Sequence, residues 1–267
     1  GLLSDKNIFP SPKIRLIIQV FILFFLVFYS ELRIENLENN YLNNLLKNNL
    51  VNIFFTIFCL AILINGSNFI DGLNGLLSGY FLLIFFSIFY ISFFNDQIAF
   101  IHENEIKIIF SSLLIFFVFN ILGKVYLGDS GSYLLATFIG FYLVDFVYNN
   151  LHIHISPYYV ASILWYPAFE NFFSISRRVL QKNNISSPDN KHLHQMIFLF
   201  LKSKKIFKSK NLNTTSSIFI LLFNTPTFII SSLMATHSQI LVFIILLNLS
   251  IYLLFYYFIS KKLEINK

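Results

Sequence analysis

The chain has 267 residues, of which 56% are hydrophobic and 12% charged, with a mean hydropathy of +0.69. Soluble domains run near a quarter charged, so this composition excludes an ordinary soluble protein and indicates a polytopic membrane protein. The net charge of +6 needs no nucleic-acid partner to explain it if the charge is sorted between the membrane faces, and the single cysteine, Cys59, forms no internal disulfide.

Residues 1–13, GLLSDKNIFPSPK, read as a polar loop broken by Pro10 and Pro12. The chain opens on these loop residues without an initiator Met, so an N-terminally truncated fragment is expected. Eight apolar spans follow, near 14–30, 50–64, 76–94, 106–122, 132–148, 157–174, 215–235 and 240–259. Each approaches or reaches the roughly 17–20 residues needed to cross a bilayer. The second is short, and the sixth carries Pro167 and Glu170. The expected fold is an all-α integral membrane protein of about eight transmembrane helices, one domain over residues 1–267.

Loop charge orients these spans. Loops 1–13, 65–75, 123–131 and 175–214, with the C-terminus and adjoining span ends, hold sixteen of the nineteen Lys and Arg residues; the other three are Arg33, Lys47 and Lys107. The positive-inside rule makes the rich side cytoplasmic. Asp5, Asp71, Asp129, His192 and His194 all fall on that side. The outer loops carry no comparable set.

Each cluster has an ordinary alternative. Asp5 alone is an exposed loop acid. In NGSNFIDGLNGL, residues 65–76, Asn65, Asn68 and Asp71 share a face at helical spacing. Amides there suit phosphate or sugar oxygens and the carboxylate suits Mg²⁺; the alternative is a polar turn between hairpinned helices. In VYLGDSGS, residues 125–132, Asp129 precedes an apolar helix that Ser130 or Ser132 could cap. The backbone N–H groups at that helix start suit a phosphate; the alternative is a capped turn without a ligand. In SPDNKHLHQ, residues 187–195, His192 and His194 would diverge by about 200° on a helix, though an extended loop could still converge them. Such divergence serves one metal poorly, so anion binding with Lys191, Arg177 and Arg178 is favoured over zinc; the alternative is a solvated basic loop. The stretch 202–210, KSKKIFKSK, reads as a strip lying on anionic headgroups. Together the clusters supply the parts of Mg²⁺-assisted phosphoryl transfer: acids for a metal and cations for phosphate charge.

In this order the segments resemble the polyprenyl-phosphate N-acetylhexosaminyl-1-phosphate transferases. GLLSDK with PKIRLIIQ is similar to the family's aspartate-rich loop and following helix. NGSNFIDGLNGL resembles its N-x-x-N-x-x-D-G motif, FNILGKVYLGDSGS its G-D-x-G-S motif, and RRVLQKNNISSPDNKHLHQ its R-R…S-P-D…H-x-H-H segment. The resemblance covers essentially the whole chain. It implies transfer of N-acetylhexosamine-1-phosphate from a UDP-sugar to polyprenyl phosphate, usually undecaprenyl phosphate, with release of UMP. The product would start a cell-wall or surface polysaccharide at the cytoplasmic face of a bacterial inner membrane. It further implies Mg²⁺ as cofactor, with Mn²⁺ as an alternative, and is compatible with a homodimer. By motif match Asp129 binds the metal, Asp71 organises metal or nucleotide-sugar, Asp5 lies near the lipid phosphate, and His192 and His194 contact diphosphate or sugar. Asn65, Asn68, Asn74, Lys124, Arg177 and Lys191 are substrate-binding candidates. The H-x-H pattern favours the branch starting O-antigen, teichoic acid and related polymers over the muramoyl-pentapeptide branch. The chain departs from the pattern at Ser4, Asn74 and Gln195, where acids and a histidine are usual, and at Glu170, where Asp is usual. Two other classes stay open: a membrane transporter, which would place its acids near mid-bilayer, and a paralogue that binds lipid phosphate or nucleotide-sugar without turnover.

Overall fold

The structure, a computed structural model, describes residues 5, 11–95, 98, 102–182, 191–204 and 211–265. Ser4 and the segment Ser187–Asn190 lie outside the described residues, as does part of the 202–210 stretch. The described chain is helical: α1 Pro12–Ser30, α2 Asn40–Leu46, α3 Asn49–Ile70, α4 Leu76–Phe94, α5 Glu103–Ile121, α6 Gly128–Asn149, α7 Pro157–Ile163, α8 Trp165–Leu180, α9 Leu193–Lys204, α10 Leu212–Leu233 and α11 Ser238–Ile265. Long apolar runs become helices because hydrocarbon offers no partner to a bare N–H or C=O, and a helix satisfies both within itself. Seven are long and apolar enough to cross a membrane: α1, α3, α4, α5, α6, α10 and α11. The all-α, polytopic expectation holds.

The remaining expected span, 157–174, is two helices. Pro167 has no N–H to offer the Ile163 carbonyl one turn back, and the helix breaks at Leu164, whose ψ is 4°. Tyr80 fills the gap, its hydroxyl donating to the Ile163 carbonyl at 2.8 Å. The α7–α8 pair still runs from one end of the bundle to the other. Its start is tied to the α10–α11 connection, where the Ser156 N–H donates to the Ala235 carbonyl at 2.9 Å. Its far end carries Arg177, whose guanidinium donates to the Tyr256 hydroxyl on α11.

The motif-bearing helices meet at α3, which packs on α1, α6 and α8. At its crossing with α8, a Cβ on Gly66 would stand 2.1 Å from the Pro167 carbonyl oxygen, so the two backbones touch with no side chain between them. Beside this core α4 packs on α5 and α10, and α11 on α7 and α9. Tyr80, Phe81, Phe85, Tyr159, Tyr166 and Tyr252 are fully buried. Phe21, Ile115 and Leu254 are exposed, a surface suited to lipid tails rather than water. Buried hydroxyls join helices by hydrogen bonds, as Ser162 does to Ser231 at 2.8 Å, the usual device where burial in lipid supplies little hydrophobic drive.

Two boundary shifts bear on the site. The helix α3 continues to Ile70, so Asn65 and Asn68 occupy its last two turns rather than a loop. The helix α6 begins at Gly128, so GDSGS is its first turn.

Candidate active site

The first turn of α6 exposes backbone N–H groups with no intrahelical partner, and Ser130 and Ser132 do not cap them. Asp5 does so from the other end of the sequence: its carboxylate accepts from the Asp129 N–H at 3.0 Å and the Ser130 N–H at 3.1 Å, and from the Ser130 hydroxyl. A carboxylate suits the positive end of the helix dipole. The Ser130 hydroxyl bond, aided by the backbone bonds, holds the Asp5 carboxyl below the usual range. Gly128 makes room for this cap: its φ is +66°, and a Cβ there would come within 3.3 Å of the Asp5 carboxylate. The helix start read from sequence as a phosphate site is thus filled by Asp5.

Asp129 is held from two sides. Arg15 of α1 donates to it at 2.9 Å, and the Asn68 amide donates to its other oxygen at 2.8 Å. The same amide reaches the Ser132 hydroxyl at 3.1 Å. Asp71 follows the last turn of α3. Burial, with the charge of Asp129 and more weakly that of Asp5, pushes its carboxyl up to about 7, while a hydrogen bond from the Gly128 N–H pulls the other way. Acids from three distant segments therefore share one end of the bundle.

The histidines close the other side. His192 precedes α9 rather than lying in it, so the helical divergence does not apply. The two imidazoles stack, 5.5 Å between centroids and 8° from parallel. His192 also lies against Phe69, 5.1 Å between centroids. His194 is fully buried and abuts the turn after Asp71: a Cβ on Gly72 would stand 2.8 Å from its Nε2. The His192 Nδ1 lies 3.0 Å from Glu170, whose other oxygen accepts from Tyr252 at 2.8 Å.

The remaining sequence candidates make contacts within the helical frame. The Asn65 amide donates to Gln19 and to the Ala61 carbonyl, both at 2.8 Å, joining α3 to α1. The Asn74 N–H donates to Asn213 at 2.6 Å, joining the turn to α10. Lys124 lies over the Phe119 ring, 5.9 Å from its centroid. Arg177 is nearly buried between the Phe173 and Tyr256 rings and donates to the Lys191 carbonyl. Through the Lys191 carbonyl it anchors the backbone beside His192. Sequence reasoning took Ser132 only as a possible helix cap, not as a partner of Asn68, and overlooked Arg15 and Tyr252. Arg15 carried a signal, since an arginine at a span end calls for a partner. Tyr252 is one of 14 tyrosines in an apolar run and carried none.

Among the described residues, no three His, Cys, Asp or Glu side chains form a metal cluster by themselves. The donor set still fits Mg²⁺, which commonly takes one or two carboxylates and completes its shell with water and substrate phosphates. Asp71 and Asp129 repel one another, and a cation between them relieves that repulsion. A cavity of about 360 Å³ lies elsewhere: Arg33, Leu37, Cys59, Leu60 and Val147 line it toward the outer end.

Residues 1–147 match the family described as glycosyl transferase family 4. Among curated proteins, an undecaprenyl-phosphate alpha-N-acetylglucosaminyl 1-phosphate transferase of Thermotoga maritima is 35% identical over 64% of this chain and 50% of its own length. A probable undecaprenyl-phosphate N-acetylglucosaminyl 1-phosphate transferase of Bacillus subtilis is 27% identical over 54% of the chain and 40% of its own. The Escherichia coli K12 protein with the first of these names is 29% identical, with the same coverage. The chain spans about half the length, or less, of the curated relatives it matches. No solved structure matches it. The family match takes in more than half of the chain, including Asp5, Asp71 and Asp129 where the structure gathers them, and this chain belongs to glycosyl transferase family 4.

Proposed function

We propose that the chain carries the active site of a transferase that moves N-acetylhexosamine-1-phosphate from a UDP-sugar to polyprenyl phosphate. A phosphate oxygen of the lipid attacks the β-phosphorus of the UDP-sugar. The new P–O bond forms as the bond to the bridging oxygen breaks, and UMP leaves with that oxygen. The carrying observation is that Asp71 and Asp129 converge at one end of a membrane bundle, with His192 and His194 beside them. Acids at a bundle end rather than mid-bilayer favour chemistry on a lipid headgroup over transport.

Mg²⁺ held by Asp129 and Asp71 would neutralise diphosphate charge. Arg15 orients one oxygen of Asp129, and Asn68 fixes the second. His192 and His194 face the diphosphate or sugar, and Asp5 holds the α6 start that carries Asp129. The sixteen-to-three charge bias supports a cytoplasmic site in a bacterial inner membrane. The names of the relatives support UDP-GlcNAc as the sugar donor, undecaprenyl phosphate as acceptor and a surface polysaccharide as the final product.

The test uses membranes containing the protein, undecaprenyl phosphate, Mg²⁺ and radiolabelled UDP-N-acetylhexosamines. Label is followed into the lipid extract and UMP release is measured alongside. Mg²⁺-dependent transfer that disappears in Asp129→Ala is expected. Folded protein that transfers no sugar overturns the proposal.

A further inference from the structure

Glu170 is almost fully buried, 1% exposed, among apolar and aromatic side chains of α8 and α11. An acid there is costly unless its oxygens are met by donors, and here three meet them. The Leu193 N–H donates to Oε1 at 3.0 Å, the Tyr252 hydroxyl to Oε2 at 2.8 Å, and the His192 Nδ1 lies 3.0 Å from Oε1. An ionised carboxylate only accepts, so the proton of the imidazole contact sits on Nδ1. The two ring nitrogens point in different directions, which turns Nε2 away from Glu170. The ring it belongs to stacks on His194 and Phe69, at the end of α3 where Asp71 lies. Tyr252 comes from the last helix and closes the far side of the carboxylate.

We propose that Glu170, braced by Tyr252, is a positioning residue that holds His192 in its Nδ1–H form and presents Nε2 to the diphosphate of the sugar nucleotide. The part that names the ligand rests on the transferase reading; the part that names the tautomer does not. A carboxylate behind a working imidazole fixes both tautomer and ring orientation, and removal of such an outer partner typically costs about 10–100-fold in function.

The experiment combines kinetics with nitrogen NMR on the full protein in proteoliposomes. Histidines are labelled with ¹⁵N, and the His192 signals are identified by their loss in His192→Asn. The wild type is expected to show a protonated Nδ1 and a bare Nε2 at a pH where the ring is neutral. Glu170→Met removes both acceptors: the expected result is a mixed tautomer signal and a kcat lowered about 10–100-fold, with KM for UDP-GlcNAc little changed. Glu170→Asp restores the carboxylate and is expected to recover most of kcat. In a His192→Asn background, Glu170→Met should cost little more, since Glu170 acts through the ring. If Glu170→Met does not fold, Glu170→Gln, which loses one acceptor and the charge, is read the same way, with a fall of about tenfold expected. A wild-type His192 protonated on Nε2, or variants with wild-type kcat, overturns the proposal. A wild type that transfers no sugar but shows the expected tautomer defeats the transferase reading and leaves the positioning of His192 standing.

Discussion

Asp71 shows how a residue becomes a candidate through its surroundings. Burial and the facing Asp129 charge raise its carboxyl from 3.8 to about 7. Its folded-state value lies above its unfolded one, so the folded protein binds the extra proton between these limits. Metal-free stability should then fall as pH rises from about 4 to 7. Mg²⁺ should remove that fall by favouring the ionised form. Thermal unfolding in detergent across this range, with and without Mg²⁺, checks the sign; a flat profile would mean that neither burial nor the Asp129 charge raises the Asp71 carboxyl. Asn68 makes a second case. Its one amide holds both Asp129 and Ser132, so Asn68→Ala should lower kcat by about 10–100-fold, with the Mg²⁺ dependence shifted to higher concentration. Magnesium titration of the transfer rate reads both effects.

Helices α3 and α8 cross where Gly66 lies against the Pro167 carbonyl. A methyl group placed 2.1 Å from a backbone oxygen has no flexible neighbour to push aside. Gly66→Ala should therefore separate the two helices, costing at least about 1–3 kcal/mol and displacing Asn65, Asn68 and Glu170 together. A lower detergent melting temperature with loss of transfer is the expected result, and an unchanged melting temperature would refute the close crossing. The α6 start fails differently. Gly128 has φ +66°, so Gly128→Ala should cost about 1–2 kcal/mol of backbone strain and crowd the Asp5 cap, with activity falling more than stability.

The bundle places Asp5, Asp71, Asp129, His192 and His194 at one end with most of the described lysines and arginines, and α7–α8 must cross for this to hold. Impermeant maleimide labelling of single cysteines in a Cys59→Ala background decides it. His152→Cys should label from the outer side of intact cells. Lys202→Cys should label only after permeabilisation, and the same sidedness for both would show that α7–α8 does not cross.

Membrane class and the positions of seven of the eight expected spans were legible in the chain because they depend on an additive property, runs of apolar residues. The G-D-x-G-S and N-x-x-N-x-x-D segments were legible because short polar residues stand out in an apolar background. The break at Leu164 was half visible in Pro167, but its repair by Tyr80 was not, since that bond joins residues 83 apart. The pairing of Asp5 with the α6 start, of Arg15 with Asp129, and of Glu170 with His192 and Tyr252 belongs to the same class. Each is a contact between segments whose separation carries no periodic signal, and each exists only once helices pack. For the same reason the chain left open whether His192 and His194 diverge or converge: that depends on where α9 begins, and the Leu193 N–H bonded to Glu170 lies at that start.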